Sequence, residues 1–420
     1  MGTLHQKPGD LPPSDVKKLS GWIRVIQGPI IISIVTSVLT FMATIILYRQ
    51  LPIKDAGTLT LALAILQLMM IAGLGQPALI QRMYSHTSNT AFHWPRDLSI
   101  SILISLPIIL LVCLLAFFIY KFSIGHLLLI IFAATMQIAI LTECQMLNSS
   151  RHYAWANLLL RMPNSLLILP ALAVIIFTVD SEINIVLTLY STLSAAVASL
   201  GLYLLCKYIP RGKRAILWKE RLKGIIFLFT QSSYLLPEQG IVAIGGGLIP
   251  PSQLAIFGAM AVLLKPFDLL TSVLRSVLTT ELIREREQKR TLPLIAIGIV
   301  AILALGLTIL FGPALIAAAN SDRFNEGLVL IPWLALAGSF RLIEILPRSF
   351  IIGNAGQRHL RRFVLWQVLV AIFILSLGGW MISKEGVAAI AWTMVLVQAG
   401  RFLVSSRFYR ETQSVEVQTL

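Results

Sequence analysis

Long apolar blocks fill this chain from about residue 25 to residue 406, and they constrain its fold more than any other feature. Most blocks reach the ~18 residues with which an α-helix can begin to span a bilayer. Charged residues make up only 13% of the chain, about half the share found in soluble domains. A soluble core could not absorb so much apolar sequence in runs of this length. The sequence therefore predicts a polytopic α-helical membrane protein.

Twelve apolar segments can be delimited, and each is predicted to cross the membrane once. Their approximate spans are 25–48, 57–80, 98–120, 126–147, 158–178, 184–206, 225–248, 253–278, 292–315, 327–350, 363–383 and 386–406.

A basic stretch, Lys207 to Gly224, divides the segments into six and six. It holds seven Lys or Arg residues against Glu220. Short loops rich in Lys and Arg stay cytoplasmic, so we interpret this stretch as a solvated cytoplasmic linker. The same rule places both termini in the cytoplasm, because Lys and Arg are concentrated in the connections on that side. The predicted domains are a cytoplasmic tail 1–20, a six-helix bundle 21–206, the linker 207–224, a second bundle 225–406 and a cytoplasmic tail 407–420.

An internal repeat indicates how the two bundles are related. Residues 51–66 (LPIKDAGTLTLALAIL) and 249–264 (IPPSQLAIFGAMAVLL) start 198 residues apart, and each follows an apolar helix. Asn148–His152 and Asn354–His359 form a second pair at a similar offset. Six helices return the chain to its starting side, so the repeats are parallel. The predicted fold is all-α, with twelve transmembrane helices in two bundles related by a pseudo-two-fold axis along the membrane normal, and a substrate path between them.

Several short motifs suggest a family. The first half carries Pro52, Asp55, Gly57 and Gly73-Leu74-Gly75; the second carries Glu238, Ile244-Gly245-Gly246-Gly247, Pro250 and Asn354-Ala355-Gly356-Gln357-Arg358. With these motifs, residues 20 to 410 resemble the polysaccharide and lipid-linked oligosaccharide flippases, which translocate O-antigen or exopolysaccharide repeat units. These flippases are relatives of the multidrug-and-toxin extrusion transporters in one exporter superfamily. The chain departs from the pattern at Gln253-Leu254-Ala255, where an acidic-x-Gly step is expected.

Charged residues inside the apolar segments are the candidate functional residues, since burying each one in a bilayer costs at least ~2.5–3.5 kcal/mol. The eighth segment carries two cations around one anion, and so does the tenth. These sets are either self-neutralising networks within one helix or the cationic lining of a cavity that attracts a pyrophosphate. We predict the second. The predicted substrate-binding residues are Lys265, Arg275, Arg341 and Arg348, and the predicted coupling or cavity acids are Glu238, Asp268 and Glu344.

Three of the acidic and basic residues have a further interpretation. Arg348 lies near the cytoplasmic edge, where its side chain can snorkel to the interface. Glu238 follows Pro237, and at this depth its carboxyl must be paired or protonated, so it can bind H⁺ or Na⁺ or pair with Lys265 or Arg275. Glu143 lies within about one turn of a segment end and is predicted to be interfacial.

Other chemistry finds no support in the sequence. The sequence contains no recognisable nucleophile–base set, phosphate-binding loop or metal-ligand cluster. We therefore predict a transporter without catalytic residues, metal or cofactor, in which transport can be coupled to H⁺ or Na⁺. The net charge of +15 does not indicate a nucleic-acid partner, because the basic residues lie between apolar segments rather than on one soluble face.

The resemblance implies a flippase for an undecaprenyl-pyrophosphate-linked oligosaccharide in the bacterial cytoplasmic (inner) membrane, acting in lipopolysaccharide or other surface polysaccharide synthesis. It implies alternating access through a cationic cavity, with the lipid-linked oligosaccharide, membrane lipids and other polysaccharide assembly proteins as partners. Two alternatives stay open. A cation-coupled multidrug or metabolite exporter should have a more apolar and acidic cavity. A membrane polysaccharide polymerase or ligase would need catalytic residues in a long outside loop, which the predicted topology lacks.

Overall fold

The computed structural model describes residues 13–86, 92–177, 182–268, 270–271, 274 and 292–419. The α-helices are α1 (Pro13–Gln50), α2 (Ile53–Met69), α3 (Gln76–His86), α4 (Trp94–Tyr120), α5 (Ile124–Ser149), α6 (Tyr153–Ser165), α7 (Ile168–Phe177), α8 (Glu182–Tyr208), α9 (Trp218–Leu248), α10 (Pro251–Ala261), α11 (Leu292–Asn320), α12 (Ile331–Asn354), α13 (Gln357–Glu385) and α14 (Val387–Thr419). Short 3₁₀ segments occur at Met70–Gly73, Val262–Leu264 and Ser321–Leu330.

These elements form twelve membrane-crossing units, as predicted. Ten stretches of the described chain are long and apolar enough to span a membrane by length and composition. Among the described residues, α2 with α3 and α6 with α7 form broken units, and a 3₁₀ segment interrupts the unit that begins with α10. The first break lies at Leu74 and Gly75, whose φ values of 47° and 71° are left-handed and interrupt the helical hydrogen bonds. The all-α class and the two six-helix bundles are therefore confirmed.

The second bundle repeats the helix contacts of the first. In the first, α1 packs on α6 and α7, α5 packs on α4 and α8, and α7 packs on α8. In the second, α9 packs on α13, α12 packs on α11 and α14, and α13 packs on α14. Each neighbour pair recurs six crossings later, as expected for a parallel repeat.

The halves meet along α2 and α10, the helices that carry the two repeat runs. Gly57 of α2 lies so close to Pro251 that a Cβ at position 57 would collide with the Pro251 carbonyl. Only glycine allows this approach of the two backbones. The starts of the two runs are thus side by side, at what we call the Pro52 end of the molecule.

The apolar side chains divide between the core and the lipid-facing surface. One core cluster, including Leu47, Ile130 and Ile390, lies toward the Pro52 end. Another, including Leu147 and Phe363, lies toward the opposite end. Some large apolar residues on the outer faces of the helices are about 70% exposed, as expected for side chains that face lipid. They include Leu103, Phe118, Leu310 and Phe373.

The structure corrects the interpretation of the basic stretch as a solvated linker at one residue, Arg221. Five of its other basic residues are exposed: Lys207, Arg211, Lys213, Arg214 and Lys219. Arg221 is only 2% exposed and pairs with Asp97 at the start of α4, which is fully buried. Tyr84 donates to Asp97 (2.9 Å), and Arg221 donates to Gln76 Oε1 (3.0 Å). Because Asp97 supplies a buried counter-charge, this end of the stretch docks on the first half. A backbone bridge between Phe92 and Arg214 adds to that contact.

The two predicted tails are partly helical. α1 begins at Pro13, inside the stretch 1–20, whose first twelve residues lie outside the described range. α14 continues to Thr419, through most of 407–420, because no proline interrupts it.

Candidate functional site

A cavity of about 130 Å³ lies between the two halves. α1, α2 and α6 line it from the first half, and α9, α10, α12 and α14 line it from the second. This volume is smaller than the about 300–1,000 Å³ of sites for drug-sized ligands, so the halves must separate further to admit one. The cavity occupies the position that a parallel repeat predicts for a substrate path.

Four of the predicted site residues line this one cavity: Glu238, Lys265, Asp268 and Arg341. Arg341 Nη1 lies 3.2 Å from Glu238 Oε2 and also pairs with Asp268 Oδ1. Gln398 donates to the second oxygen of Glu238 (2.6 Å). Arg341 thus connects two carboxylates on two other elements. The predicted alternative of a self-neutralising set within α12 does not apply to Arg341, because its long side chain reaches across to α9 and to Asp268.

Glu344 and Arg348 form a separate cluster behind the cavity wall, as far as the described residues define that wall. Glu344 Oε1 lies 3.6 Å from Arg348 Nη1, and Glu344 Oε2 lies 2.8 Å from Arg401 Nη2. Ser405 also donates to Glu344 (3.1 Å). The expectation that Arg348 snorkels to the interface is wrong, because it is buried beside this acid. Arg275 lies outside the described residues.

Two further arginines belong to these clusters, although the sequence placed them among cytoplasmic charges. Arg401 is fully buried. Arg161 of α6 donates to the Asp268 carbonyl (3.2 Å), to Asn157 Oδ1 (3.3 Å) and to Ser37 Oγ (3.4 Å), and so joins the halves. A signal was present: Asn157, Arg161 and Asn164 share one face of α6 at helical spacing.

Neutral polar groups complete the lining. Tyr48 and Thr60 are hydrogen-bonded to each other. Behind Asn164, Tyr190 donates to its side-chain oxygen (3.2 Å) and accepts from Gln137 (2.5 Å). Thr40, Thr44, Gln67 and Gln239 also face the cavity, among apolar residues. The lining thus combines hydroxyl, amide and apolar groups with one ionic cluster.

Comparison with known proteins gives a fold but no close relative. No protein-family model matches the chain, and no curated protein matches it. Among solved structures, the MATE multidrug transporter DinF-BH, solved in complex with a ligand, is 16% identical, with a TM-score of 0.64 over 96% of this chain and 97% of that one. An outward-facing MATE family transporter of the MOP superfamily is 14% identical, with a TM-score of 0.57 over 95% and 99% of the two chains. The chain has the MATE fold.

A third structure with the MATE fold bears on the cavity. It is a MOP superfamily transporter from Pyrococcus furiosus, described as having a binding pocket of reverse polarity that suggests a different function. It is 12% identical, with a TM-score of 0.58 over 93% of this chain and 97% of that one. At such identities the comparison establishes the shared architecture, and the chemistry of the cavity must be argued from this chain's own residues.

Proposed function

We propose that this protein is a secondary exporter that moves a drug-sized or metabolite-sized amphipathic molecule by alternating access through the central cavity. The transport is coupled to H⁺ or Na⁺. One observation carries the proposal: a cavity lies between the halves, and its charged wall is the cluster in which Arg341 joins Glu238 and Asp268.

This cluster offers a means of coupling. A proton or Na⁺ that binds Glu238 or Asp268 competes with Arg341 for the carboxylate. Loss of that ion pair removes a link between α12 and α9 or the segment after α10, and so favours a conformation in which these elements separate. A cation can shift the equilibrium only through such a difference in affinity between two states. The contacts between Arg341 and the two acids supply that difference.

The likeness to MATE multidrug transporters, one of them solved with a bound ligand, supports this proposal. The lining supports it too, because hydroxyl and amide groups among apolar side chains match an amphipathic ligand.

A second candidate function is the flippase for a lipid-linked oligosaccharide. It is favoured by the charge around Asp268: among the described residues here, Lys265, Arg341 and Arg161 are three cations against two carboxylates. An Arg guanidinium can bind two phosphate oxygens at once, in a bidentate contact. A pyrophosphate could therefore displace the acids from Arg341. For this candidate we propose Lys265, Arg275 and Arg341 as pyrophosphate ligands, with Glu344 and Arg348 positioning their neighbours.

For either function we propose the bacterial cytoplasmic membrane, with both termini and the basic linker on the cytoplasmic side. Reporter fusions at Gly212 and Ser88 should then behave as cytoplasmic, and those at Ala56 and Ser383 as external. An external signal at Gly212 would reverse this orientation, since the linker carries much of the charge bias.

Proteoliposomes decide between the two functions. The purified protein is offered a cationic rhodamine dye, an anionic amphiphile of similar size, or an undecaprenyl-pyrophosphate-linked oligosaccharide, under an imposed H⁺ or Na⁺ gradient. We expect gradient-driven export of one of the small amphiphiles, lost in Glu238→Gln and in Asp268→Asn and kept in the control Glu385→Gln, which alters an exposed acid. Translocation of the lipid-linked oligosaccharide without export of either amphiphile would replace the exporter with the flippase.

The Arg341→Lys variant sharpens the test. A lysine keeps the charge but loses the guanidinium fork that engages both carboxylates. We expect residual export with weakened coupling to the gradient. Unchanged coupling would show that the link between Glu238 and Asp268 is not needed.

A further inference from the structure

Two buried glutamates each contact the last helix of their half. Two ring contacts show which positions of α8 and α14 are equivalent in the two halves. The ring centroids of Tyr208 and His152 lie 4.6 Å apart, and those of Phe408 and His359 lie 5.0 Å apart. The two histidines belong to the repeated Asn-to-His motifs. Position 208 thus corresponds to position 408, and position 201 to position 401.

Each acid contacts one of these two positions. Glu344 of α12 contacts position 401 of α14. Glu143 of α5 contacts position 201 of α8. The helix pairs α12–α14 and α5–α8 are themselves equivalent in the two bundles. The residue opposite the acid, however, is Arg401 in the second half and Gly201 in the first.

The site around Glu143 lacks what Arg401 gives to Glu344. Glu143 is fully buried, and within the described ranges neither carboxyl oxygen has a hydrogen-bond partner. The expectation of an interfacial Glu143 is therefore wrong. The carboxyl packs directly on α8, because a Cβ at position 201 would collide with it. The described part of the chain thus makes room for the acid but supplies no counter-charge.

The helices around Glu143 leave the site apolar. α2, α3, α4, α6 and α8 pack against α5, and among the described residues no charged side chain of these helices faces the carboxyl. The titratable neighbour is the thiol of Cys144, which donates to the Ala156 carbonyl (3.1 Å). A bare carboxylate is strongly disfavoured in such surroundings, whereas a neutral carboxylic acid is tolerated. A metal ion would need several more oxygen ligands than one carboxyl offers.

We propose that Glu143 is a proton-binding site of the first half. Its carboxylate takes one proton from water, carries it as a neutral carboxylic acid in the conformation described here, and returns it to water when α8 moves away from α5. The proton site itself is independent of what the protein transports. Its part in the transport cycle rests on the proposed coupled exporter.

Infrared difference spectroscopy of the purified protein in lipid tests the site without any transport. The C=O stretch of a neutral carboxylic acid, absent from carboxylates, is compared in the wild type, in Glu143→Gln and in the control Glu385→Gln. We expect the band of one carboxylic acid to be lost in Glu143→Gln and kept in the control. Identical spectra for the wild type and Glu143→Gln overturn the proposal. If the amide variant does not fold, Glu143→Met, an apolar side chain of similar length, replaces it.

Export measurements in proteoliposomes then test the role in the cycle. We expect Glu143→Gln to lose much of the stimulation by a pH gradient while it still binds substrate. Undiminished stimulation removes Glu143 from the cycle. If no substrate is exported by the wild type, the proposed function fails, and the infrared result still decides the proton site.

Discussion

Glu344 of the second half lies between Arg348 and Arg401, whereas Glu143 of the first half lies against Gly201 with neither a counter-charge nor a hydrogen-bond donor among the described residues. The same pair of helices packs around each acid, although Glu143 lies five residues before Asn148 and Glu344 ten before Asn354. The side chain opposite differs: Arg401 pairs with Glu344, whereas Gly201 offers Glu143 no counter-charge.

The same asymmetry extends to the cavity. Its charged lining residues, as far as the structure describes them, are Glu238, Lys265, Asp268 and Arg341, all from the second half. The first half contributes hydroxyl and amide groups, and Arg161 reaches Asp268 from outside the lining. The second half thus holds the ionic cluster, and the first half shapes the opposite wall.

The largest expected difference between the halves is in the cost of neutralising each acid. Glu344→Gln leaves Arg401 buried beside an uncharged amide, and breaking a buried pair in this way costs about 3–5 kcal/mol. Glu143→Gln replaces a neutral acid with a neutral amide of the same shape, so we expect a change of about 1 kcal/mol or less. Denaturant unfolding in one detergent measures both, with Glu385→Gln as the control. Equal losses would show that Glu143 has a counter-charge after all.

A smaller effect is expected where α8 approaches α5. Gly201→Ala forces a Cβ onto the Glu143 carboxyl, and overpacking of this kind costs about 1–3 kcal/mol. Glu143→Ala removes the obstacle, so the same Gly201→Ala change in that background should cost much less. Additive free energies of unfolding in the double-mutant cycle would place the collision elsewhere.

The smallest effect concerns the ring contacts that set the register. Each aromatic pair contributes about 0.5–1.5 kcal/mol beyond its buried area. Tyr208→Leu loses the pair with His152, while Phe408→Leu loses pairs with both His359 and Phe363. We expect Phe408→Leu to lower the free energy of unfolding more than Tyr208→Leu. The reverse order would argue against equivalent ring contacts in the two halves.

The sequence by itself determined the class of fold, the twelve crossings and the division into two repeats. These features depend on the length and spacing of apolar blocks along the chain, because the thickness of the bilayer sets the length of a spanning helix. It also picked out Glu238, Lys265, Asp268 and Arg341, because a charge within an apolar block is costly wherever it points.

The tertiary structure alone decided which charges are partners. Arg341 pairs with acids of other elements, and Arg161, Arg221 and Arg401 lie in buried or bridging positions although a count of loop charges assigned them to the cytoplasm. A hydropathy window carries no information on the rotation of one helix against its neighbour, and a side chain near the end of a span can turn inward or outward. Only the packing of α5 on α8 and of α12 on α14 set Glu143 against a glycine and Glu344 against an arginine.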